Sequence, residues 1–273
     1  KSGPRERSLS DRSQRMRGNA MEILGRPIDE ATTEARLDAL IRRNARAGNA
    51  AIDVLNLIGG RAENLLDRLP PSVRMRLNST TEEALRQAAE AAHRSRDVVG
   101  HGPAWRVQAL TTMMGAAGGV GGLPTALAEL PATTTILLRA IQDVALDHGF
   151  DPNDPSVRFG SVEVFGAAGP MAEDDGVNLG FIGTRVTLTG SAMRTLIARV
   201  APRLATVLGQ KLAAQTVPVL GAVAGAGINY AYTRYYQDMA HVHFGLHRLA
   251  IDAGREPQDM VQAFRERAGR VRS

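Results

Sequence analysis

Cysteine is absent from the 273 residues, which removes disulfides, thiolate zinc sites, iron–sulfur clusters and cysteine nucleophiles together. Aromatic residues make up only 4%, so Ala, Leu and Val must fill any core. Lysine is nearly missing too: of 33 basic residues, only Lys1 and Lys211 are lysine. No segment alternates apolar and polar residues as a strand does. The glycine run Gly115 to Gly122 lacks the Gly-Lys-Ser/Thr of a phosphate-binding loop and has no strand before it, which argues against nucleotide binding. No G-x-S-x-G occurs, which argues against a serine hydrolase. The start, Lys1 to Asn19, is polar and Arg-rich without an apolar run, so no signal peptide is expected.

What is present suits one large domain or two small ones, with 44% hydrophobic residues. The formal net charge is +5, but it is unevenly spread. Residues 1–106 carry 19 basic and 14 acidic side chains. Residues 151–180 carry one arginine against six acids. Residues 181–211 carry Arg185, Arg194, Arg199, Arg203 and Lys211 and no acid. A basic balance suits an anionic partner, although Arg-rich, Lys-poor usage also fits a biased genome. The basic segment has one aromatic, Phe181, and so no stacking platform. No nucleic-acid partner is expected; an anionic lipid or membrane surface is.

The periodicity is helical throughout. Residues 1–20 read as a flexible Arg-rich arm, and 21–100 as a layer of amphipathic helices. Leu37, Leu40 and Ile41 recur at helical spacing, as do Val54, Leu55 and Ile58. Gly59-Gly60 and Pro70-Pro71 punctuate that stretch. Thr80 with Glu83 reads as a capping box opening a helix through about His93. Asp154-Pro155 reads as N-cap and first residue of a helix to about 168. Another helix is expected over about 183–200, with Pro202 and Pro218 marking the next two starts. Gly254 reads as a helix terminator, and Pro257 as the start of a last helix ending near Gly269.

Two stretches of 22 residues, Val107–Ala128 and Leu212–Thr233, carry no charge. Their length suits a membrane span, but their glycine, proline, asparagine and glutamine content does not. The expectation is an all-α, multi-helix globular domain with two buried Gly/Ala-rich helices and amphipathic outer helices. Gly221, Gly225 and Asn229 fall on one face and form a smooth stripe on which another backbone can settle. Asn229 is expected to pin the two Gly-rich blocks near Gly122-Leu123-Pro124.

Several residues are candidates for chemistry. His241, His243 and His247 share one helix, and His243 and His247 are one turn apart, a spacing that can chelate a metal if acids such as Asp238, Glu129 or Asp143 complete the site. The same three residues also read as one core-facing and two surface histidines. Glu129, alone in an apolar setting, suits an acid or base of raised pKa, or a helix N-terminal partner. Asp143 is a second acid, suited to pairing with Arg139. Lys211, retained where arginine is the rule, suits a nucleophile or a phosphate contact.

Gly122-Leu123-Pro124-Thr125, Ala128-Glu129-Leu130-Pro131, Ile141-Gln142-Asp143-Val144, His148-Gly149-Phe150-Asp151-Pro152, Val217-Pro218-Val219-Leu220-Gly221 and Gly225-Ala226-Gly227-Ile228-Asn229 occur in order, with Ala240 and Phe244 beyond. This resembles the EcsC family of bacterial proteins over about residues 105–252, so 101–273 is expected to be an EcsC-like helical core. The resemblance implies a bacterial, helical, membrane-associated setting, since the founding member is encoded beside an ABC transporter. It implies no catalytic residues. The leading expectation is a non-catalytic lipid- or membrane-engaging module, cytoplasmic or peripheral at the inner membrane, with Arg185, Arg194, Arg199, Lys211 and Asn229 as ligand contacts. The alternatives are a metal- or acid/base-dependent hydrolase using Glu129, Asp143 and His243, and a protein-interaction scaffold forming an oligomer. No cofactor is named.

Overall fold

The computed structural model describes residues 27–57, 66–96, 109, 112–113, 130–166, 190–214 and 221–272. The N-terminal arm, Glu129, Arg185 and the first uncharged stretch other than residues 109, 112 and 113 lie outside them. Among the described residues there is no strand, and seven α-helices carry the fold. They are α1 (Glu30–Leu57), α2 (Pro71–Arg96), α3 (Leu130–Asp147), α4 (Pro155–Val164), α5 (Gly190–Ala214), α6 (Gly221–Ala253) and α7 (Pro257–Arg272). A 3-10 turn, Leu66–Arg68, precedes α2.

Helix α3 is the centre of the main core. Leu130, Leu137, Leu138, Ile141 and Val144 are all buried, and α3 touches α2, α4 and α6. Two of its three threonines cost little in this setting because Thr134 and Thr135 donate to the carbonyls of Leu130 and Pro131, each at 2.7 Å, the usual local outlet for a mid-helix hydroxyl; the Thr133 hydroxyl is buried without such a partner. Helix α2 packs on both α3 and α5, so the N-terminal layer is part of the same body as the core. Helix α6 has 33 residues, about 50 Å of helix. One side carries Tyr232, Tyr235, Tyr236, Met239 and Phe244 into the main core. The other carries Val242, Leu246, Leu249 and Ala250 into a second cluster with Leu37 and Ile41 of α1 and Met260, Val261 and Phe264 of α7.

Two sequence signals hold in detail. The Asp154 carboxylate accepts the Ser156 backbone N–H at 2.7 Å and caps α4, with Pro155 in its first turn. Gly254 adopts φ +62° after α6, the left-handed conformation that glycine takes without the strain of a Cβ.

Others are corrected. Thr80 does not open a helix: α2 starts at Pro71, nine positions earlier, and runs to Arg96. Leu77, Ala84, Leu85 and Ala88 are buried at helical spacing, and that packing outweighs the local preference of the Ser79-Thr80-Thr81 run for a cap. Ser79 instead donates to the Arg76 carbonyl at 3.0 Å, and Glu83 takes Arg86 and Gln87 as partners. Pro202 likewise starts nothing, since α5 runs through it. Its ring faces solvent while Ala201, Leu204, Ala205 and Leu208 are buried around it, so packing carries the helix past one missing donor. Helix α4 stops at Val164, short of 168, where Phe165 and Gly166 donate back to Val162 and Glu163. The last helix continues beyond Gly269 to Arg272. The second uncharged stretch is not one helix: Leu212–Ala214 end α5, and α6 begins at Gly221. No helix among the described residues is long and apolar enough to cross a membrane.

Candidate functional site

A groove of about 470 Å³ opens where α2, α3, α4 and α5 meet. That size is in the ordinary range of small-molecule and lipid-chain sites. Leu138, Phe159, Val162, Met193 and Ile197 make an apolar floor, and Arg86, Arg158, Arg194 and Glu90 stand around it. The helices bring these residues together by simple periodicity. On α4, Phe159 and Val162 are three apart and turn one apolar edge inward, while Arg158 sits beside them. On α5, Met193, Arg194 and Ile197 repeat that pattern of apolar residues flanking a cation.

The four charges are not equivalent. Arg86 is committed, with two bonds to Glu83 at 2.9 and 2.6 Å and Glu90 at 3.7 Å. Arg158 and Arg194 form no ion pair with any acid among the described residues. Two guanidiniums without an ion-pair partner among the described residues therefore flank an apolar trough, an arrangement that matches a ligand with an anionic head and a hydrocarbon body.

Of the expected ligand contacts, Arg194 is at this groove. Arg199 is on α5 further along, near Glu163, whose carboxyl it pulls toward ionisation. Lys211 and Asn229 are in the core at 2% exposure each, and neither lacks a partner. The backbone carbonyl of Asn229 also accepts the Thr233 hydroxyl at 2.7 Å. Asp143 is buried and partnered as well. The expected crossing of Asn229 against Gly122-Leu123-Pro124 involves residues outside the described set. The groove thus gathers Arg194 but not Arg199, Lys211 or Asn229.

The histidines form two separate pairs. His148, in the turn after α3, meets His241 with Nε2 and Nδ1 3.1 Å apart. His243 and His247 lie with ring centroids 5.2 Å apart, and Phe150 packs near His247. His243 presses on α4 at Gly160, where a Cβ would come within 2.8 Å of its Nε2; glycine is what lets the ring in. Burial pushes His241 and His243 down to about 3 and His247 to about 4. Among the described residues no three metal-ligating side chains converge. Asp238, the nearest acid on α6 to His241, is engaged by Arg43 at 3.1 Å and Arg234 at 4.0 Å.

Two features have little sequence signal. Arg158 is the lone cation of an acidic stretch, and that isolation is the one clue to it; its pairing with Arg194 depends on α4 and α5 meeting. Glu163 reads as an ordinary surface acid of α4, yet its Oε1 is closed off from solvent with no hydrogen-bond partner. Burial pushes its carboxyl up to about 8, against the pull of Arg199.

The sequence matches the EcsC protein family over residues 78–249, well over half of the chain, and the chain belongs to that family. The match reaches further toward the N-terminus than the quoted motifs do and takes in most of α2, the helix that supplies one wall of the groove. No curated protein and no solved structure matches.

Proposed function

We propose that this EcsC family member is a non-catalytic lipid-engaging module that docks on anionic membrane surfaces and takes one amphiphile into the groove between α2, α3, α4 and α5. One observation carries the reading: Arg158 and Arg194, without acidic partners among the described residues, stand over an apolar floor of Leu138, Phe159, Val162, Met193 and Ile197. The floor removes hydrocarbon from water at about 25 cal/mol per Å². The guanidiniums hold the head at the rim, each basic residue near an anionic surface adding about 1 kcal/mol before screening. The basic balance of the chain supports the same docking at longer range.

Flotation with liposomes tests this. Binding is expected to rise with anionic lipid content and to fall with salt. Arg158→Glu with Arg194→Glu is expected to weaken it at least about tenfold, with an unchanged helical circular dichroism spectrum. Both positions are at the rim, so folding has little stake in them. Equal flotation of the variant, or equal binding to neutral liposomes at high salt, would contradict the proposal.

A further inference from the structure

The groove also carries information about the head it accepts. If a lipid occupies the groove as proposed above, the two cations at the rim also set the charge of its head. Arg86 is spent on Glu83 and Glu90, which leaves two cations at the groove, Arg158 on α4 and Arg194 on α5, without an acidic ion-pair partner among the described residues. Each guanidinium presents a planar fork of N–H donors that pairs two oxygens at a time.

A carboxylate or a phosphodiester offers one negative charge and two free oxygens. Either satisfies one fork and leaves the other cation uncompensated. A phosphate monoester offers three free oxygens and a charge of about −1.5 to −2 at neutral pH. It can serve both forks by sharing an oxygen, and it matches the charge of the pair. The apolar floor between the two arginines then requires that the monoester carry hydrocarbon. A free sugar phosphate would leave the apolar lining of the groove, of which Met193 is a partly exposed member, without a hydrocarbon partner. We propose that the groove selects a lipid whose headgroup is a phosphate monoester, of the phosphatidic-acid class, over phosphodiester lipids and fatty acids.

The test uses the full chain and liposomes of phosphatidylcholine doped to equal surface charge, about 10 mol% phosphatidic acid in one set and about 20 mol% phosphatidylglycerol in the other. Binding to the first is expected to be at least about tenfold tighter, the range of a well-formed charge-assisted contact. Arg158→Gln and Arg194→Gln, taken singly, are each expected to weaken binding to both liposome sets, but to weaken binding to phosphatidic acid more, so that the preference falls to within about twofold. Circular dichroism and melting curves identify any variant that fails through misfolding, and Arg158→Lys, which keeps the charge but loses the fork, should lose most of the preference while remaining folded. Millimolar glycerol phosphate should displace little. Equal binding to the two liposome sets would overturn the headgroup assignment and leave the lipid-engaging reading standing. Binding to neither would overturn both. Displacement by micromolar glycerol phosphate would show a site for a small phosphate ester and would overturn the lipid assignment.

Discussion

Acidification is expected to unfold the protein between about pH 6.5 and pH 4, above the range in which carboxylates usually drive acid denaturation. The cause is imidazoles held neutral by burial: three on α6, and His148, which burial lowers in the same direction. His241 and His243 are pushed from 6.5 down to about 3, and His247 to about 4. Below pH 6.5 the unfolded chain takes up a proton at each of these sites while the folded chain does not. Each therefore contributes stability that is complete above 6.5 and is lost as the pH falls toward its depressed value. Helicity at 222 nm against pH should show a cooperative loss driven by proton uptake at these rings on unfolding, partly offset above pH 4.5 by the proton that Glu163 releases. In His243→Gln the slope should fall by about one proton, whatever the substitution does to overall stability. A transition that waits until about pH 3, or a slope that the substitution leaves alone, would show that these rings ionise freely in the fold.

The second large effect has the opposite sign. Glu163→Gln is expected to stabilise the protein at pH 9 and to leave it nearly unchanged at pH 5. The Glu163 carboxyl is pushed from 4.5 up to about 8 by burial. Between those values the folded chain keeps a proton that the unfolded chain releases. The stability tied to this group is thus complete below 4.5 and is lost as the pH rises through 8. The accumulated loss is on the order of 5 kcal/mol. Glutamine is a near-isostere with no charge to desolvate, so the alkaline loss should vanish. Thermal melts at the two pH values decide it: equal melting temperatures of the two proteins at pH 9 would mean that the carboxylate is solvated or paired in the fold.

These two groups also show where the sequence could be read and where it could not. The helical period, the Asp154-Pro155 cap and the Gly254 terminator act within one turn, so they were legible and their geometry follows. Thr80 and Pro202 misled for one physical reason. Each is a local signal that long-range packing overrides: α2 through Leu77, Leu85 and Ala88, and α5 through Ala201, Leu204 and Ala205. The family was legible because its Gly/Pro blocks occur in order. The groove was half legible. Arg194 belongs to an acid-free basic run that composition exposes, whereas Arg158 and Phe159 acquire meaning from the meeting of α4 with α5. Glu163 was illegible, since nothing in Val162-Glu163-Val164 says that one of its carboxylate oxygens lies closed off from water. Lys211 stood out by its rarity, yet the fold holds it in the core rather than at the rim.

The central claim is that a lipid chain lies on the floor between Arg158 and Arg194. Photo-crosslinking with a phosphatidic acid that carries a diazirine in its acyl chain tests it most directly, with peptide mapping of the full-length protein after irradiation. The account predicts labelling concentrated on peptides that contain Leu138, Phe159 to Val162, and Met193 to Ile197, and lost in Arg158→Glu with Arg194→Glu. Labelling spread over other helices, or labelling of those peptides that persists undiminished in the double variant, would contradict it.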